Sequence, residues 1–135
     1  MTNTFTKAER LCSQTAIDWL FDGKGNSFSV WPFRIVFKSR PLTDTDTESS
    51  LPQLLISVPK KKFHHAVDRN RVKRLVREAY RTNKHDLVET AQTQRLDVRL
   101  AIIYLADQLP TAAETEQRVS TALARITKAL GHAVI

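Results

Sequence analysis

The sequence predicts an α+β sandwich, with helices packed on a small mixed sheet, and three observations predict it. Val98 to Ala106 (VRLAIIYLA) is too apolar for a surface helix and rich in β-formers, as a central strand is. Two long stretches, Val67 to Asn83 and the segment after Thr111, carry apolar residues at helical spacing. Shorter runs with strand character precede the first of them, giving the order αββαβα. A length of 135 residues fits one domain covering 1–135, large enough to bury a core without disulfides.

Each element has a local reason. Ser13 to Phe21 reads as a helix with Ser13 as N-cap; Ala16, Ile17, Leu20 and Phe21 recur at helical spacing, and Gly23 and Gly25 end it. Phe33, Ile35 and Phe37 alternate with Arg34, Val36 and Lys38, which is the period of a strand. Residues 39–53 are polar, acidic and bracketed by prolines, and are expected to form a mobile loop. Leu54 to Val58 is a second strand, expected to pair with the first as a long-armed hairpin. Pro59 stops it, and Lys60-Lys61-Lys62 leads into the helix Val67 to Asn83. Thr111-Ala112-Ala113-Glu114 matches a capping box and opens a last helix. Its apolar stripe is Val119, Ala122, Leu123, Ile126 and Leu130. The termini are expected to be short and flexible.

Bulk features exclude several classes. No run of 18 apolar residues spans a membrane, and the N-terminus lacks the apolar stretch of a signal peptide. Cys12 is the single cysteine, which excludes an internal disulfide and fits a reducing cytoplasm; a half-buried structural thiol is expected. His64-His65 could suggest a metal. Adjacent histidines point apart, however, and no Cys or carboxylate lies at ligand spacing, so no protein-bound metal is expected. Asp44, Asp46 and Glu48 lie in the acidic loop without basic partners. A stand-alone nuclease needs a carboxylate or histidine cluster, and none assembles, so no catalytic side chain is assigned.

Charge is concentrated instead. Lys60 to Lys84 holds ten of the 21 basic residues and two of the 14 acidic ones, a local +8. The rest of the chain sums to −1, with 11 basic and 12 acidic residues. On a wheel of about 100° per residue, Val72, Ala79, Val76 and Leu75 form one narrow apolar stripe. Asn70, Lys73, Arg74, Arg77 and Arg81 fall on the opposite side, interrupted only by Glu78. A solvated amphipathic face is the plain reading, but such repulsion calls for compensation, and a polyanion backbone supplies it. Five phosphate contacts would weaken binding by about several-hundred-fold between 50 and 200 mM salt. Arginine suits forked contact to phosphate, and Arg69, Asn70 and Arg71 occupy the first turn, where free N–H groups favour anions.

Ser57-Val58-Pro59-Lys60-Lys61, Ala66-Val67-Asp68 and the run RNRVKRLVREAYR together resemble the protein subunit of bacterial ribonuclease P. That family carries an R-N-R-x-K-R-x-x-R helix after a strand ending in Val-x-Lys-Lys. Arg69, Asn70, Arg71, Lys73, Arg74 and Arg77 fill every fixed position of the run. The resemblance extends from about Phe5 to Ala129 and implies a left-handed β-α-β crossover, an exception to the usual handedness. It also implies the function. The protein would bind a catalytic RNA subunit that, with Mg²⁺ held mainly by the RNA, removes the 5′ leader of precursor tRNA. The RNA-binding residues implied are Lys60, Lys61, Arg69, Asn70, Arg71, Lys73, Arg74, Arg77 and Arg81. No membrane and no obligate protein partner are expected.

The resemblance places a leader cleft between the first helix and the sheet. The family shows two phenylalanines one turn apart there; the matching positions here are Ile17 and Phe21. Phe21 can stack on a base, whereas Ile17 can only pack. Any stacking lost at Ile17 is either moderate or supplied elsewhere, with Trp19 and Phe33 as candidates. Each aromatic could equally be core, and Phe33, Ile35 and Phe37 share one strand face of unassigned direction. Two alternatives remain open at this point. One is a DNA-reading helix, disfavoured because a strand rather than a second helix precedes it. The other is a ribosomal RNA-binding protein without a part in catalysis, which charge and fold class alone do not separate.

Overall fold

A computed structural model describes residues 5, 9–42 and 51–132. The elements are α1 (Gln14–Leu20), β1 (Asn26–Val30), β2 (Phe33–Pro41), β3 (Gln53–Ser57), α2 (Ala66–Asn83), α3 (His85–Thr93), β4 (Leu96–Tyr104) and α4 (Ala112–His132). The sheet order is β1-β2-β4-β3, with β3 parallel to β4 and the other pairs antiparallel. It is thus an α+β fold with a small mixed sheet, as expected.

Alternation along β4 explains the layers. Leu96, Val98, Leu100, Ile102 and Tyr104 point into the larger core, against α2, α3 and α4. Ala101 and Ile103 point the other way, into a smaller cluster with Leu11, Ala16, Leu20 and Val36 beneath α1. A strand apolar on both faces must be interior, and β4 takes partners on both edges. Each large apolar side chain buried here contributes roughly 1.5–3 kcal/mol.

This placement corrects the expected hairpin. β2 and β3 do not pair; β4 lies between them, and a crossover through α2 and α3 joins β3 to its parallel neighbour. Periodicity identified two strands but carried no information about neighbours. The loop expected over 39–53 is also shorter, because Ser39, Arg40 and Pro41 continue β2 opposite Val98, Asp97 and Leu96. Residues 43–50, including Asp44, Asp46 and Glu48, lie outside the described residues.

Two elements were not expected. β1 (NSFSV) is a polar edge strand that buries only Val30 fully. α3 is a short helix whose Leu87, Val88 and Ala91 are buried. It ends where Arg95 adopts a φ of 53°, a left-handed position that usually carries glycine. The Arg95 carbonyl there accepts the Leu42 N–H at 2.8 Å.

The caps follow the sequence. Ser13 Oγ accepts the Ala16 N–H at 3.4 Å, and Thr111 Oγ1 accepts the Glu114 N–H at 3.1 Å. The stripe of α4, Val119 through Leu130, is buried as expected. Cys12 is exposed, not half-buried, because it lies just before the α1 cap on the outer side of Leu11.

One long-range polar contact ties the N-terminal segment to the helical layer. Lys84 Nζ donates to Glu9 Oε2 at 2.6 Å, both side chains being almost fully buried at the α2–α3 junction. Nearby, Phe5 packs edge-on against Tyr80, ring centroids 5.7 Å apart. Burial, and secondarily Glu9, pushes the Tyr80 hydroxyl far above the usual tyrosine range, so it stays neutral.

Removing one member of a buried pair strands the other charge. Lys84→Ala is expected to lower unfolding free energy by about 3–5 kcal/mol. Urea denaturation checks this, and the doubly apolar Glu9→Leu/Lys84→Met variant should recover most of the loss.

Candidate nucleic-acid interface

The basic face begins with the burial of its reverse side. Val72, Val76, Ala79 and Tyr80 face the core from α2, while Leu75 is only half-buried at the stripe's edge. Asn70, Arg71 and Arg74 are consequently exposed, and Lys73 and Arg77 are half-exposed. Asn70, Arg71, Arg74 and Arg77, with Val67, line an open depression of about 510 Å³. Three arginines and an asparagine are on its wall, and their guanidinium and amide groups are donors that match phosphate oxygens.

Arg77 also belongs to a second depression, of about 200 Å³, at the outer edge of β3. Lys73 and Arg10 join it there, over a floor that includes Leu11, Leu54 and Leu55. The chain before α1 builds that wall: Leu11 N–H donates to the Leu54 carbonyl at 3.0 Å, and Arg10 bridges Leu54 in parallel. Arg10 was not among the residues singled out from sequence, since only the tertiary path brings the N-terminal segment beside α2. The cationic surface thus runs from α2 around the β3 edge toward the α1 face.

Two expected contact residues have partners within the protein. One terminal nitrogen of Arg69 donates to the carbonyls of Phe63 at 2.7 Å and His64 at 3.1 Å. It braces the Lys60–Lys62 turn against the start of α2 rather than standing free on the surface. Lys60 and Lys61 are exposed on that turn. Arg81 pairs with Glu78 through both carboxylate oxygens, at 2.9 and 3.1 Å. The spacing is i,i+3, so Glu78, the one acidic interruption of the basic face, neutralises one of its charges. This contact holds the Glu78 carboxyl below its usual range and raises Arg81 further.

The second face lies under α1. Ile17 is half-buried there with Leu55 and Ile103. Phe21, one turn on, is 44% exposed. Trp19 lies on another side of the short helix and is covered by cations, with Lys38 Nζ 4.3 Å and Arg99 Cζ 5.1 Å from the ring centroid. Lys38 also donates to the Trp19 carbonyl and to Asp22, fastening the end of α1 to β2. That hydrogen bond, with the Lys24 N–H, lowers the Asp22 carboxyl below its usual range.

Phe33 is corrected as a cleft candidate. It is 1% exposed, packs against Tyr104 and belongs to the larger core, on the sheet face away from α1. Phe37 is buried in that same core. The strand alternation was sound; its direction depended on which helices cover which face.

Among the described residues, no three His, Cys, Asp or Glu side chains converge as metal ligands. No helix there is long and apolar enough to cross a membrane.

Comparison with known proteins gives a consistent result. The Ribonuclease P family profile matches residues 5–130. The chain is 39% identical over 121 residues to the ribonuclease P protein component of Porphyromonas gingivalis, covering 90% of this chain and 85% of that one. It is 34% identical over 117 residues to the Chlorobaculum tepidum protein of the same name, covering 82% and 74%. In structure it is similar to the RNase P protein of Thermotoga maritima, with a TM-score of 0.65 at 21% identity over 87% of this chain and 96% of that one. The Staphylococcus aureus RNase P protein gives 0.56 at 24% identity, covering 90% and 94%.

Because Arg69 braces a turn, Arg69→Ala is expected to cost about 1.5–3 kcal/mol of stability. Arg74→Ala, on the open surface, should stay within about 0.5 kcal/mol. Urea unfolding of the two variants separates the bracing role from the surface role.

Proposed function

Because this chain belongs to the ribonuclease P protein component family, we propose that it docks α2 on the catalytic RNA and carries the precursor-tRNA leader across its α1 face. The observation that carries this reading is the continuity of the cationic surface. Arg77 is shared by the α2 depression and the one at the β3 edge, so a docked RNA and a strand over the sheet would be adjacent.

In this reading Asn70, Arg71 and Arg74 bind RNA phosphates directly. Lys60 and Lys61 extend the contact along the turn that Arg69 holds, and Lys73 and Arg77 bind at the junction with the leader. Arg81 contributes when RNA phosphate competes with Glu78. Fixed guanidinium groups lose little freedom on contacting phosphate, so their repulsion in the free protein becomes attraction in the complex.

Hydrolysis belongs to the RNA subunit with its Mg²⁺. The described residues do not fit a resident metal, and no chemical step is assigned to this chain. Its contribution is binding: holding the leader raises the affinity of precursor over mature tRNA. A cytoplasmic location follows from that partner.

Reconstitution tests the reading. The protein mixed with a bacterial ribonuclease P RNA at low Mg²⁺ is expected to accelerate precursor cleavage over RNA alone; no gain overturns it. Within that system Arg71→Ala or Arg74→Ala should weaken assembly and flatten its log–log salt slope by about 0.9. Titration of RNA binding at several salt concentrations measures this.

Phe21→Ala should weaken precursor binding by about 1–3 kcal/mol while mature tRNA binds nearly as before. Equal losses for both would show that the ring serves packing, not the leader.

A further inference from the structure

The α1 face, as described, offers a single-stranded RNA one ring to stack on, Phe21. Ile17 has no π-face, Trp19 is covered by Lys38 and Arg99, and Phe33 and Phe37 lie in the opposite core. Among the described residues, the exposed large apolar side chains are Phe21, Trp31, Val67 and Leu109, of which only the first two are aromatic. Trp31 is 65% exposed.

Register places Trp31 at the end of the face that Phe21 borders. Ile17 and Ile103 pack against the same small cluster, and Ile103 opposes Arg34 on β2; Arg34 in turn opposes Ser29 on β1, and Ser57 of β3 completes that row. Ser29 and Arg34 are exposed, and Ile103 and Ser57 are half-buried, so α1 leaves this row open. The next pair is Val30 with Phe33, and Trp31 lies in the two-residue turn between them. Pro32 fixes the turn beside β4, its carbonyl accepting the Leu105 N–H at 2.8 Å. An exposed row carrying one guanidinium therefore leads from the Phe21 side of α1 to an exposed indole.

We propose that Trp31 is a second stacking platform for the single-stranded leader, with Arg34 binding the phosphate backbone between Phe21 and Trp31. This rests on the leader reading above. The occupant is committed by charge and shape: the row is open and carries the exposed Arg34 guanidinium, and an indole on a sheet rim stacks on any base.

The test uses the reconstituted holoenzyme and precursors whose leaders are shortened one nucleotide at a time. In the wild type, affinity should rise when the leader becomes long enough to reach Trp31. Trp31→Ala should abolish that rise, a loss of about tenfold for the longest leader, and Trp31→Phe should restore most of it. Indole emission should be quenched by long-leader precursor in the wild type and much less in Trp31→Phe, where Trp19 alone reports. If Trp31→Ala keeps the length-dependent rise, the inference is overturned while the leader reading stands. If the wild type shows no dependence on leader length, both fail. If Trp31→Ala weakens binding of the RNA subunit itself, whatever the leader, the indole docks on that subunit and the inference is likewise overturned.

Discussion

Pairing of β4 on both edges and burial of both its faces is the constraint on which the rest depends. A strand with apolar residues in both registers cannot stop at an edge or face water. It therefore draws β2 to one side and β3 to the other, and it requires a helical layer above and below. The two layers are unequal. α2, α3 and α4 cover one face completely, whereas seven-residue α1 covers only part of the other. The uncovered remainder is an open part of the sheet bordered by α1, where the proposed leader path lies.

The same constraint explains how α2 tolerates its charge. Its apolar stripe is committed to the core, so every cation on the other side must face solvent or a neighbour. The structure divides these cations by task. Arg69 turns back to brace the preceding turn, Arg81 is held by Glu78, and Arg71 and Arg74 remain on the open surface. Lys73 and Arg77 lean toward β3, where Arg10 adds a cation from the N-terminal segment. The Arg10–Leu54 bridge and the Leu11–Leu54 hydrogen bond place Arg10 there, next to the Glu9–Lys84 pair.

Much of this was legible from the chain alone because it is encoded locally. Ser13 and Thr111 announced their helices through cap chemistry, and Val72, Val76 and Ala79 announced the buried side of α2 through period. The RNR run identified the family, since its residue types at that spacing are more specific than charge. β1 and α3 were missed for the converse reason: each is short, and its few apolar residues show no extended period. The supposed hairpin failed because alternation reports a strand's faces and is silent about its neighbours.

The sequence by itself determined the α+β class, the main helices and strands, the basic face of α2 and the family, all of which rest on periodicity, caps and a compact motif. Tertiary structure alone decided which ring is available to a ligand. Phe33 and Trp31 stand two residues apart and are equally aromatic in sequence, yet one fills the core and the other lies on the rim. The difference is set by which sheet face three helices cover and by where the β1–β2 turn falls. Both are long-range consequences of burying β4, so no local pattern could carry them.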